Sequence, residues 1–293
     1  MRRLIVPLFL FVLLAGCAQK NLSASVHYLT PLPKSMQQVD DVQLAYRTFG
    51  EGPPLLMIMG FAGTMDIWDA QLVRELSREH TVIIFDNRGM GSSSNGTEEI
   101  TISRMAVDSA GLLRELGYPK ADVFGWSMGG LIAQEMTLNY PDKVGKLVLL
   151  GASCEAKPVA DIIQKLMKMD MKELLSHFFP SGWVEKYPDA YATLPRPASP
   201  PDPAIIQDQA DAMIDWDGCC SRLNRLDKST LVISGLDDDI LPEKLSLEIA
   251  ERVKGSWLVR YRNANHWLMY QDPIGLGQTV NNFFATEQDL FPN

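Results

Sequence analysis

Gly125-Trp126-Ser127-Met128-Gly129-Gly130 stands between an apolar run, Ala121 to Trp126, and a helical pattern, Met128 to Tyr140, with Pro141 just past its end. A serine in a Gly-x-Ser-x-Gly turn that joins a strand directly to a helix is lifted above the sheet, where its hydroxyl can react. Small residues are needed because the turn brings the strand and helix backbones close together. The pentapeptide alone would be only a tight turn. Its two flanks make Ser127 the candidate nucleophile.

The same rhythm extends outward from this turn. Val42 to Phe49 reads as an early strand ending in Gly50-Glu51-Gly52-Pro53, and Leu55 to Met59 and Thr81 to Phe85 as buried strands around a helix at Trp68 to Arg78. Ile102 to Leu116 is helical and stops at Gly117 and Pro119; Lys146 to Leu150 is a strand. Later come Thr230 to Ser234 (strand), Glu243 to Val253 (helix), Trp257 to Tyr261 (strand) and a last helix near Asp272 to Ala285. Short apolar runs alternating with helical patterns predict an α/β fold, a mostly parallel doubly wound sheet with helices on both faces. Eight of the 18 prolines fall between Pro158 and Pro203, which predicts no long regular element there. Residues 155–221 therefore read as an inserted cap, and residues 39–154 and 222–293 as the core. There is no internal repeat and no low-complexity segment.

A hydroxyl becomes a useful nucleophile only when a base removes its proton, so a histidine is required. The chain has four. His27 lies in a polar N-terminal stretch, His80 precedes a strand at the wrong end of the sheet, and His177 falls in the cap as a packing or substrate-facing residue. His266, in Arg262-Asn263-Ala264-Asn265-His266, follows the last strand at the carboxyl edge of the sheet. The acid belongs after the penultimate strand, where Gly235-Leu236-Asp237-Asp238-Asp239-Ile240-Leu241-Pro242 offers three aspartates.

From residue 40 onward, along nearly its whole length, the chain resembles the α/β-hydrolase family. Relatives commonly show Gly-x-x-Asp with a proline four residues after the Asp, which selects Asp238 as the carboxylate that orients His266. Asp237 then serves as a loop hydrogen-bonder and Asp239 as a solvated charge, with Glu155 a remote alternative acid. One oxyanion donor is expected at the amide of Met128, at the start of a helix. The second is expected in the loop Met59-Gly60-Phe61-Ala62-Gly63, and the resemblance places it at the amide of Phe61. Relatives usually carry His-Gly where this chain has Met59-Gly60. Asp86-Asn87-Arg88-Gly89-Met90-Gly91-Ser92-Ser93 resembles a family loop that supports structure rather than chemistry.

The N-terminus carries a different message. Arg2 and Arg3 precede the apolar Leu4 to Leu14, too short for a membrane span of ~20 residues and of the length of a signal-peptide core. It ends in Leu14-Ala15-Gly16-Cys17, which resembles the lipobox of bacterial lipoproteins. That resemblance implies cleavage of residues 1–16, lipid on Cys17, and a tether over 17–38. Ala18, rather than Asp, after the Cys favours the outer membrane over the inner. Without lipid the chain would be periplasmic or secreted. Loss of Arg2 and Arg3 takes the net charge from −9 to −11, and no basic run offers a footprint for nucleic acid. The remaining cysteines, Cys154, Cys219 and Cys220, allow Cys154–Cys219 or Cys154–Cys220, or buried free thiols. No Cys-x-x-Cys or His cluster suggests a metal, and no cofactor is expected.

The reaction expected is cleavage of a small-molecule ester through an acyl-enzyme on Ser127. Carbon–carbon bond hydrolysis and cofactor-free perhydrolysis use the same triad, and a non-catalytic, ligand-binding surface lipoprotein is the alternative of another class. In the cap, Met167, Met169, Met171, Phe178, Phe179, Trp183, Tyr187, Tyr191 and Trp216 are candidates for either core or pocket.

Overall fold

The computed structural model describes residues 33–192, 194–195 and 201–287. The expected signal segment, Cys17, His27 and most of the expected tether lie outside these residues. One eight-stranded sheet organises the rest. Its strands are β1 (Ser35–Val39), β2 (Val42–Phe49), β3 (Pro54–Ile58), β4 (Thr81–Phe85), β5 (Ala121–Trp126), β6 (Val144–Leu150), β7 (Thr230–Gly235) and β8 (Trp257–Tyr261). They lie in the order β1-β2-β4-β3-β5-β6-β7-β8, parallel from β4 to β8 with β1 and β2 antiparallel at one edge.

Alternate residues of each central strand feed two separate cores, which is why the strands read as unbroken apolar runs. Leu56, Ile58, Ile83, Val123, Leu147, Leu149 and Val232 pack into one cluster, and Leu55, Met57, Ile84, Phe124, Val148, Leu150 and Ile233 into the other. The covering helices are α1 (Ala70–Leu76), α2 (Ile102–Glu115), α3 (Met128–Asn139), then α4 (Ala156–Leu166), α5 (Met171–Phe178), α6 (Trp183–Lys186), α7 (Pro188–Ala192), α8 (Pro203–Ile214), and finally α9 (Glu243–Arg252), α10 (Leu268–Gln271) and α11 (Pro273–Ala285). Helices α2, α3 and α9 cover the first cluster, and α1 and α11 the second.

Two expectations are corrected. The tether does not run to residue 38: Ser35–Val39 is a strand, registered Ser35 against Tyr46 and Val39 against Val42. An edge strand with one open face needs few apolar residues, so Ser-Met-Gln-Gln-Val carries no buried-strand pattern. The cap prolines do not exclude regular structure either. Helix α4 has 11 residues with Pro158 in its first turn, and α8 has 12 with Pro203 at its start. Proline is tolerated there because first-turn N–H groups have no intrahelical acceptor.

The cap, α4 to α8, is inserted between β6 and β7 and tied down at both ends. Cys154 and Cys220 form a disulfide across 66 residues, while Cys219 remains a buried free thiol. The Cys219 amide donates to Cys154 O at 2.9 Å. The buried Glu135 of α3 accepts from Trp216 Nε1 at 2.9 Å and from Arg222 Nη1 at 2.9 Å.

Candidate active site

Ser127 occupies the turn between β5 and α3 with φ 56 and ψ −122. That backbone is costly for a residue with a Cβ and must be held by its surroundings. Ser127 N–H donates to Leu150 O at 3.0 Å, and Ser127 O accepts from Gly130 N–H at 2.8 Å. A Cβ on Gly125 would lie 2.3 Å from Gly129 O, and one on Gly129 would lie 2.0 Å from Ile58 O. The glycines therefore let α3 press against β5 and the end of β3, and that compression raises the serine.

His266 lies in the loop after β8, held by Trp126 Nε1 donating to His266 O at 3.1 Å. Its Nε2 is 2.9 Å from Ser127 Oγ, and its Nδ1 is 2.8 Å from Asp238 Oδ2. A carboxylate only accepts, so Nδ1 carries the proton and Nε2 is left to accept from the serine hydroxyl. The other oxygen of Asp238 accepts from the amides of Ile240 at 3.0 Å and Leu241 at 2.9 Å. These two bonds satisfy the buried carboxylate and fix its aim. Ser127, Asp238 and His266 are 7%, 4% and 4% exposed.

The other candidates fall elsewhere. Glu155 stands at the N-cap of α4, and the His266 Nδ1 proton points to Asp238 instead. The Asp237 amide donates to Ala264 O at 3.0 Å, tying the acid loop to the histidine loop. Asp239 is exposed but not merely solvated: its Oδ2 lies 2.8 Å from Nδ1 of His177, on α5. His80 is buried against Phe284, and desolvation lowers its pKa. In the Asp86–Ser93 loop, Asp86 accepts from the amides of Met65 (2.7 Å) and Ser92 (2.9 Å), while the buried Arg88 bonds both oxygens of Asp108. That loop is scaffolding.

Met128 opens α3, where helix N–H groups lack intrahelical partners and the dipole favours negative charge. The Met59–Gly63 loop lies against the turn: a Cβ on Gly60 would be 2.8 Å from the Trp126 ring and 3.1 Å from Ser127 Cβ. Phe61 lines a cavity of about 50 Å³ at Ser127 and His266. Its core wall is Phe61, Trp126, Ile240 and Leu241; its cap wall is Ile162, Ile163, Leu166, Phe178 and Met213. Among the cap residues singled out from the sequence, only Phe178 lines this cavity. Its ring stacks over His266 at 6.3 Å and on Trp267 at 4.4 Å. Phe179 stacks on Trp183, which packs at a tilt against Tyr187; Trp216 bonds Glu135, and Met167 is exposed. The aliphatic wall was missed because α4 and α8 were not expected as helices; the spacing of Val159, Ile162, Ile163 and Leu166 carried that signal. Among the described residues no group of three or more His, Cys, Asp or Glu is placed to hold a metal ion.

Residues 53–181 match the family model of the alpha/beta hydrolase fold. The chain is 26% identical over 274 residues to a putative non-heme bromoperoxidase of Mycobacterium tuberculosis, covering 84% of this chain and 98% of that one. It is 28% identical over 252 residues to a 2-hydroxymuconate semialdehyde hydrolase of Pseudomonas sp. (strain CF600), covering 80% and 88%. Among solved structures, an alpha/beta hydrolase fold protein from Chitinophaga pinensis superposes with a TM-score of 0.78 at 26% identity, covering 88% of this chain and 98% of that one. These likenesses support a hydrolase, and the sheet, the serine turn and the neighbouring structures agree that the chain has the α/β-hydrolase fold.

Proposed function

We propose that this chain is a serine hydrolase that cleaves carboxylic esters through an acyl-enzyme on Ser127. The observation that carries this reading is the unbroken row Ser127 Oγ, His266 Nε2, His266 Nδ1, Asp238 Oδ2, with links of 2.9 and 2.8 Å. Ser127 Oγ attacks the ester carbonyl carbon while His266 Nε2 takes the hydroxyl proton, and the carbonyl π electrons move to oxygen. The amides of Met128 and Phe61 receive that oxyanion. The carbon–oxygen bond to the alcohol then breaks, and His266 returns its proton to the departing oxygen. Water repeats the cycle and frees the acid, restoring Ser127. Asp238 holds the ring tautomer and stabilises the imidazolium without taking the proton.

The cavity wall narrows the substrate. Apart from Ser127 and His266 its lining is apolar, and among the described residues no Lys or Arg faces it. The Pseudomonas relative is named for a muconate, a carboxylate. A carboxylate at this wall would be desolvated without a partner, at a cost of several kcal/mol. Uncharged esters suit it better. With about 50 Å³ of room, and roughly 10–15 Å³ per water-sized group, the space suits an acyl chain of only a few atoms. A second reading, perhydrolysis, draws support from the bromoperoxidase relative: hydrogen peroxide would replace water as acceptor of the same acyl group.

A p-nitrophenyl ester series tests this. Acetate and butyrate should turn over, octanoate far more slowly, and the hemisuccinate barely. Preference for the hemisuccinate would overturn the uncharged-ester reading. Peroxide-dependent halide oxidation in acetate, outpacing ester hydrolysis, would favour the perhydrolase.

We further propose export and lipid anchoring through Cys17. The Leu14-Ala15-Gly16-Cys17 pattern supports it, and so does the Cys154–Cys220 disulfide, which suits an oxidising compartment.

A further inference from the structure

We infer that Gln209, on cap helix α8, is the positioning residue of the oxyanion loop, so that the cap completes the catalytic apparatus as well as roofing it. The inference rests on the reading of Phe61 as an oxyanion donor. Phe61 N–H belongs to the Gly60–Phe61 peptide, which is planar, so fixing its carbonyl fixes its N–H. Gly60 O accepts from Gly63 N–H at 3.3 Å, within the loop itself. The next peptide, Phe61–Ala62, is fixed from outside: Ala62 N–H donates to Gln209 Oε1 at 3.0 Å, across 147 residues of sequence. Asn87 Nδ2 donates to Met59 O at 3.2 Å and holds the start of the loop. Both peptides flanking Phe61 are therefore pinned, one by a side chain of the cap.

Three further observations make this more than a packing contact. Ala62 has φ 56, a left-handed backbone that a non-glycine residue keeps only when something holds it. Gln209 is fully buried, yet its Nε2 has no partner among the described residues. Its amide has one workable orientation, since an NH2 turned toward Ala62 N–H would set donor against donor. An unpaired buried donor costs about 1–3 kcal/mol, so the amide is kept here at a cost that its bond to Ala62 N–H has to offset. Finally, Met213 lies one turn along the same face of α8 and lines the cavity, so one helix face supplies both substrate wall and loop support. The chain has Met59 where family resemblance leads one to expect a loop-stabilising histidine; Gln209 supplies support at Ala62.

Gln209→Leu, in the full chain, removes the acceptor at similar volume. The expected result is a kcat on p-nitrophenyl acetate lowered about 10–100-fold, short of the 10²–10³ for losing an oxyanion donor outright, with KM within about twofold. Affinity for a trifluoromethyl ketone, which mimics the tetrahedral species, should fall by a similar factor, while inhibition by the product carboxylate should not change. The melting temperature of Gln209→Leu should change little, because losing the orphaned Nε2 is offset by leaving Ala62 N–H without its acceptor. A kcat within about twofold of wild type in Gln209→Leu overturns the inference. If that variant does not fold, Gln209→Met repeats the test against the same criterion. Wild type serves as the control for the underlying reading: if it hydrolyses no ester and Ser127 takes no fluorophosphonate, both ideas fall; if it does both, a silent Gln209 variant defeats only this one.

Discussion

At the residue scale, the site is assembled from groups with very different legibility. Ser127 was readable because the glycine turn needs its flanking strand and helix, and His266 because few histidines compete. Asp238 had two acidic neighbours, and the resemblance to Gly-x-x-Asp with a proline four residues on picked it out from the sequence; its Oδ2 is the oxygen that faces Nδ1. Gln209 was illegible, because its partner Ala62 lies 147 residues away and no local pattern marks a contact of that range. Ser127→Ala or His266→Ala should each remove nearly all turnover, since such residues act as a unit. Asp238→Asn should lower kcat by about 10⁴-fold through the wrong tautomer, with Asp237→Asn near wild type. The reverse order in steady-state kinetics would reassign the acid. Gly60→Ala should lower kcat at least about tenfold, because its Cβ would sit 2.8 Å from the Trp126 ring and displace the loop from the serine turn.

At the scale of elements, the central strands were legible because burial on both faces forces continuous apolar runs, and Thr81–Phe85 and Ala121–Trp126 end where those runs end. Strand β1 and helices α4 and α8 were not, since one is a polar edge and the others begin at prolines. The disulfide closes the cap into one loop, so the double variant Cys154→Ala/Cys220→Ala should lose about 2–4 kcal/mol in urea unfolding. No loss would mean that the cap's non-covalent contacts hold it without the disulfide. Burial pushes the Cys219 thiol up to about 12, so it should resist iodoacetamide until the protein unfolds. Asp69 caps α1 by accepting from the amides of Gln71 and Leu72, and desolvation raises its carboxyl to about 6. A raised carboxyl stabilises the fold fully below its unfolded value of 3.8, and that contribution is lost as pH rises through about 6. Asp69→Asn keeps the cap and should remove this fall, adding about 1–2 kcal/mol at pH 7. A stability–pH curve unchanged from wild type would contradict the assignment.

At the scale of the whole molecule, one mostly parallel sheet with helices on both faces was legible in the sequence, because that architecture is written in the order of short runs and breaks. How the cap seats was not written there: it depends on Phe178 over His266, His177 beside Asp239 and Gln209 beneath Ala62. Among the described residues no helix is long and apolar enough to cross a membrane, and the anchoring proposed above runs through Cys17. Cys17→Ser should therefore move the protein from the membrane fraction to the soluble one, and unchanged fractionation would remove the lipid anchor. The central claim, that Ser127 is an activated nucleophile, meets its most direct test in a fluorophosphonate probe applied to the folded protein, with the modified residue located by peptide mass. The account predicts modification at Ser127, abolished in His266→Ala. A folded protein that takes no label, or takes it at another residue, would contradict it.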